Sequence, residues 1–316
     1  MNPCEKEYRS VSKRLGVLLV LMLTLFFVRS LALMGVGLLQ FVLSPVAYDT
    51  VYQLLGGLLY ALCFLIPVFV FQPISFGERV EPMLIEQKLP RSTPFYLFAG
   101  LAVLISASVI NSYMLSFFDY SSFSEDFFIP IETATNRQIM LQLLTIVVIP
   151  AFVEELLFRG VILTNLLPYG KTSAVVASAV LFGLMHQNAG QLFFATVAGL
   201  VFGFLYLKLR TIWAPVLLHF LNNFYAVFTQ VLAERLPASI VNVVLVTLQT
   251  AVFAAGIVGA IFLMRQEQAE TVEEKPILSV PPRRRFRLFC SVPMLVFCVI
   301  TVVEIVLYLV IAALWY

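Results

Sequence analysis

Residues 150–160 read PAFVEELLFRG, two adjacent glutamates and an arginine inside an apolar run. Glu155 and Arg159 are i,i+4 neighbours, the spacing at which a carboxylate and a guanidinium meet on one helical face. The 3.6-residue period turns Glu154 about 100° away from Glu155, so Glu154 lies off the axis of that pair. The chain has two histidines, His186 in LFGLMHQN and His219 in LLHFLNNF, and Asn223 follows His219 by one turn on the same face. A carboxylate and an imidazole holding one water can take its proton and release a nucleophile. A second imidazole and an amide NH2 one turn apart can donate hydrogen bonds to an oxyanion. Those are the parts of a hydrolase for a peptide bond. An interhelical hydrogen bond accounts for one lone membrane histidine, but not for two histidines, a glutamate pair, an arginine and an asparagine within 70 residues. No serine or cysteine stands in a nucleophile elbow, and no H-E-x-x-H helix occurs. Zinc held by Glu154, His186 and His219 is possible in ligand type. It leaves Asn223 and Arg159 without roles, so no cofactor is the favoured expectation.

The elements that must position these groups are membrane spans. The chain is 61% hydrophobic and 12% charged, with a mean hydropathy of +0.96, the composition of a polytopic membrane protein. Apolar stretches fall at 15–43, 51–72, 94–118, 138–167, 172–188, 190–207, 212–233, 239–264 and 288–315. Backbone groups in lipid must be satisfied within the segment, so these are helices; a barrel would need alternating ten-residue strands. The expected fold is all-α, a transmembrane bundle with an eight-helix core and a ninth, C-terminal helix. Residues 1–264 form the membrane-embedded domain around a motif core at 138–230, 265–287 a charged cytoplasmic linker, and 288–316 the additional helix. The fifth segment is short, tilted or only partly spanning. At about 1.5 Å per residue, Glu154 lies about 20 Å and His186 about 21 Å from the inner ends of their helices, with His219 and Asn223 about 10 and 16 Å deep. These depths overlap, as lining one cavity open to the cytoplasm requires.

Orientation follows from counting. With the N-terminus inside and nine spans, 16 of the 20 basic residues fall on inner segments, and a miscounted helix would scramble that asymmetry. The expectation is an integral protein of the cell membrane with its N-terminus cytoplasmic and its C-terminus on the opposite side. The first apolar run is too long for a signal peptide and reads as a retained helix. The run RRRFR at 283–287 reads as a stop signal at the membrane surface, attracted to anionic lipid. The four cysteines have no metal-ligand spacing and suggest no disulfide framework. No basic stripe interleaved with aromatics points to nucleic acid.

A charge at the centre of a span costs about 2.5–3.5 kcal/mol, which makes the few present functional candidates. Quoted together, EELLFR (Glu154, Glu155, Arg159), FGLMH (Phe182, His186) and HFLNN (His219, Asn223) resemble the membrane-embedded CAAX protease and bacteriocin-processing (CPBP, or Abi) family. Its motifs are EExxxR, FxxxH and HxxxN/B. The resemblance covers about 138–230 and implies an intramembrane endopeptidase of the glutamic type. By motif position it implies that Glu154 and His186 activate water, that His219 and Asn223 stabilise the oxyanion, and that Glu155 and Arg159 support the site. Phe182 is packing, and Asn222 is the runner-up for the amide role. The implied partners are a membrane-associated peptide or protein and the lipid bilayer; prenylated tails and leader or signalling peptides both occur as family substrates. Two other readings stand beside it. One is a non-catalytic scaffold or immunity-type protein of the same fold; the other is a transporter, against which the lack of evident repeats counts. Arg29 and Glu304 belong to no motif and read as snorkelling or paired structural charges.

Overall fold

The computed structural model describes residues 3–75, 89–116, 135–267 and 286–315. Among the described residues the chain forms nine helices and no strand. These are α1 (Pro3–Gly37), α2 (Pro45–Ser75), α3 (Thr93–Ser116), α4 (136–166), α5 (Lys171–Met185), α6 (Ala189–Leu209), α7 (Trp213–Arg235), α8 (Ala238–Glu267) and α9 (Val292–Trp315). Seven of them, all but α4 and α5, are uninterrupted α-helices long and apolar enough to cross a membrane; α4 has the length but is broken by π-helical turns. The protein is an integral membrane protein. Most of the charged linker at 265–287 lies outside the described residues.

The two exceptions depart from the expected spans for physical reasons. The run at 138–167 is helical throughout but not a uniform α-helix, because π-helical turns at Leu143–Val148 and Leu156–Leu163 interrupt it. The fifth helix ends at Met185 and has 15 residues, about 22 Å at 1.5 Å each, short of a bilayer core of about 30 Å. His186 therefore stands just past a helix end and not within a span. The chain reverses there: Gln187 takes a left-handed φ of 54°, and the Asn188 side chain caps α6 by accepting from Gly190 N at 2.7 Å.

The described residues fall into two compact units. The first comprises Met1–Met83, Thr133–Ala174 and Ile277–Ile300. In it α1 packs on α2, with Phe26 set edge-on to Tyr60 and Phe64. The helix α4 lies along α2; at its start Thr135 forms a reciprocal capping box with Gln138, whose side chain also donates to Asp49 at 2.8 Å. The turn at Phe286–Cys290 is fastened to α1, Ser12 donating to the Leu288 carbonyl at 2.5 Å and its Oγ hydrogen-bonded to the Ser291 hydroxyl at 2.8 Å.

The second unit comprises Leu84–Glu132, Val175–Pro276 and Thr301–Tyr316. Here α3 packs along α8 and touches α6 and α7. The α5–α6 hairpin crosses closely, since small residues let backbones approach where lipid offers no hydrophobic drive. A Cβ at Gly183 would clash with Thr196 Oγ1, and one at Gly199 would lie 2.8 Å from the Ala179 Cα. Crowding of that kind costs about 1–3 kcal/mol, more than the roughly 0.8–1 kcal/mol that alanine gains over glycine in a helix. Gly199→Ala is therefore expected to lower the melting temperature of the purified protein. Gly35→Ala, with nothing within 4 Å of the new methyl, leaves it unchanged or raises it. A Gly199→Ala protein as stable as Gly35→Ala contradicts the close crossing.

Candidate active site

Glu154 and Glu155 end the α-helical stretch Ile149–Glu155, which the two π-helical turns flank. Pro150 gives the first turn its local cause: it has no N–H for the carbonyl four residues back, and its ring crowds that carbonyl. Such turns widen a helix and re-aim its side chains. Arg159, in the second turn, donates Nη1–H to Glu155 Oε1 at 2.8 Å, with both side chains at 0% exposure. The Thr164 hydroxyl donates to the Arg159 carbonyl five residues back, at 2.8 Å, so the widened turn keeps that acceptor satisfied. The neutralised pair expected from the spacing is present.

Glu154 is bound separately. It is buried, and its Oε1 accepts a hydrogen bond from the Tyr60 hydroxyl at 2.5 Å. Its Oε2 has no hydrogen-bond partner among the described residues. One oxygen is thus held and the other is available to take a proton. Tyr60 is the residue that sequence reasoning missed. Its ring packs against Phe64 at 5.0 Å and Phe26 at 5.6 Å, and the Arg29 guanidinium lies 5.7 Å from its centroid. Arg29 also donates Nε–H to the Gly56 carbonyl at 3.3 Å. A charge that belonged to no motif therefore braces the tyrosine that holds Glu154. The available signal was a tyrosine in GGLLYALC, since a buried hydroxyl needs a partner; nothing in that stretch names the partner.

The second unit carries the other motif residues. His186 Nδ1 lies 2.8 Å from the Phe182 carbonyl. A carbonyl only accepts, so Nδ1 carries the proton in this bond, and a neutral ring in that tautomer has its lone pair on Nε2. The Phe182 ring meets His186 edge-on at 5.0 Å and His219 edge-on at 6.1 Å, so the expected packing residue contacts both imidazoles. His219 is buried and stacked on Phe202 at 4.9 Å with an 18° tilt, which fixes the ring plane. One turn along α7, Asn223 Oδ1 accepts from Asn222 Nδ2 at 3.2 Å. This bond turns the Asn223 oxygen toward Asn222 and its NH2 to the other side, and it couples the expected amide to its runner-up.

Within the first unit, then, Glu154, Glu155 and Arg159 are gathered with Tyr60 and Arg29. Within the second, Phe182 and the two histidines are gathered, with Asn223 on the His219 helix.

Comparison with known proteins bears on these residues. Residues 136–225 match the model of a family described as "Type II CAAX prenyl endopeptidase Rce1-like". Over 86 residues the chain is 34% identical to the "Putative membrane peptidase YdiL" of Bacillus subtilis (strain 168), covering 26% of this chain and 34% of that protein. The chain thus spans about a third of the length of this curated relative. No solved structure matches it. Every residue of the three motifs lies within 136–225, the segment that is similar to the Rce1-like CAAX prenyl endopeptidase family.

Proposed function

We propose that the chain is an intramembrane endopeptidase of the glutamic type, hydrolysing a peptide bond of a membrane-associated peptide or protein. The observation that carries this reading is Glu154, a buried carboxylate held at one oxygen by Tyr60 and without a hydrogen-bond partner among the described residues at the other. The peptidase name of the B. subtilis relative supports it. In the proposed reaction Glu154 and His186, paired by motif position, activate a water: the Glu154 carboxylate takes its proton as the water oxygen bonds to the scissile carbonyl carbon. The carbonyl oxygen becomes an oxyanion and receives hydrogen bonds from the His219 ring N–H and the Asn223 NH2. Collapse breaks the C–N bond, and the departing amine takes up the proton. The buried Glu155–Arg159 pair carries no net charge and holds the helix turn. No metal takes part. The proposed setting is the cell membrane, with the N-terminus cytoplasmic and the C-terminus opposite.

The test is mass spectrometry of membrane and secreted peptides from wild-type and Glu154→Gln cells, in which uncut substrates accumulate in the variant. An unchanged peptide set contradicts the reading and leaves a binding role for the same fold. A substrate found this way also tests Tyr60. Tyr60→Phe keeps the ring against Phe26 and Phe64 and removes only the hydroxyl, so Glu154 loses its orientation while the packing stays. Misplacement of a catalytic group by about 1 Å costs up to about 10²-fold. The expected result is a kcat lowered by about 10–100-fold with KM unchanged. An unaltered kcat, or a loss confined to protein abundance, removes Tyr60 from the mechanism.

A further inference from the structure

Apart from the proposed site, the first unit holds a groove of about 350 Å³ between α1 and α2. Ser10, Lys13 and Arg14 line one end of it. Val17 and Leu21 of α1, with Pro67 and Val70 of α2, continue its walls. On α1 these positions recur every three or four residues, which puts them on one helical face. The charges lie at one end only: beyond Arg14 the helix rises about 10 Å to Leu21, all of it apolar. Val17 and Val70 are 52% and 53% exposed, so the apolar stretch opens outward, where the bilayer lies around an integral membrane protein.

We propose that this groove binds an anionic phospholipid, its phosphate at Lys13 and Arg14 and an acyl chain along Val17, Leu21, Pro67 and Val70. An amphiphile with one negative end matches a groove with one positive end. Basic pockets between membrane helices on the cytoplasmic side are suited to such headgroups. The surroundings reinforce the sign of the charge. Lys6 and Arg9 precede the groove on the same helix. The turn carrying Arg287 is fastened to α1 through the Ser12 bonds to Leu288 and Ser291. The basic run at 283–287 thus ends, at Arg287, on an element attached to the same helix as the groove. The proposal does not depend on the peptidase reading.

The test uses the purified full chain in detergent, exposed to equal amounts of phosphatidylglycerol and phosphatidylcholine and examined by native mass spectrometry. The expected result is one retained phosphatidylglycerol per chain in preference to phosphatidylcholine. Lys13→Gln/Arg14→Gln reduces that retention by about tenfold or more. Val17→Trp, which fills the groove and keeps both charges, abolishes it. Lys6→Gln/Arg9→Gln, which removes the same charge beside the groove, preserves it. Equal retention of the two lipids overturns the proposal. So does a Lys6/Arg9 variant that loses as much lipid as the Lys13/Arg14 variant, because surface charge alone then accounts for the binding.

Discussion

Glu154→Gln is expected to lower peptide processing by about 10²–10⁴-fold, the contribution of a positioned general base, while the abundance of the protein in the membrane stays at the wild-type level. The two halves of that expectation rest on different oxygens. Oε1 only accepts, from the Tyr60 hydroxyl at 2.5 Å, and a glutamine oxygen accepts the same bond, so the contact between α2 and α4 survives. Oε2 is the oxygen without a partner among the described residues. Glutamine puts an NH2 there, a donor that cannot take a proton from water. His186→Ala removes the second base and is expected to match the effect without adding to it, since groups that act on one proton transfer are strongly non-additive. Wild-type processing in either variant ends the peptidase reading. Lost processing accompanied by lost protein leaves it untested in that variant, and Tyr60→Phe then becomes the informative comparison because its side chain keeps its packing.

What could be read from the sequence and what could not divide along a physical line. Local spacing within one helix was legible. Glu155 and Arg159 meet as their i,i+4 separation requires, and the nine apolar runs correspond to nine helices among the described residues. Changes within a helix were harder to read. Pro150 stood in the sequence, but a proline announces a break or kink more readily than the π-helical turns that flank Glu154. Through such turns the uniform 1.5 Å per residue used to judge depth no longer applies. The short fifth helix shows the same limit: FGLMHQN is apolar enough to extend a span, yet the left-handed Gln187 and the Asn188 cap end it. Contacts between distant helices were not legible at all. Tyr60 and Glu154 are 94 positions apart, and which face of α2 meets α4 is decided by packing. Arg29 shows this most plainly, as its bearing on Glu154 passes through the Tyr60 ring and no motif could contain it.

The second large effect concerns stability. Arg159→Met is expected to destabilise the protein by about 3–5 kcal/mol, because removing one partner of a buried pair strands the other charge. Glu155 is at 0% exposure and pairs with Arg159 Nη1 at 2.8 Å. Without the guanidinium its carboxylate must ionise without that counter-charge or take up a proton, and either is unfavourable where the pair was assembled. Methionine keeps much of the length and the apolar stem, so the loss is electrostatic more than a matter of volume. The double variant Glu155→Gln/Arg159→Met strands no charge and is expected to regain most of the loss, so its destabilisation falls well below the sum of the two single losses in a double-mutant cycle. Thermal unfolding of the purified protein in detergent reads each corner of that cycle. Additive losses in the double variant would show that the two residues do not act as a unit. If the double variant regains stability and also processes peptide, the pair serves to hold the turn beneath Glu154; if it is stable but inactive, the charges of the pair also bear on the reacting atoms. Either result separates the scaffold of this helix from its chemistry, which Arg159→Met alone cannot do, since an unfolded protein and an inactive one look the same in an assay of processing.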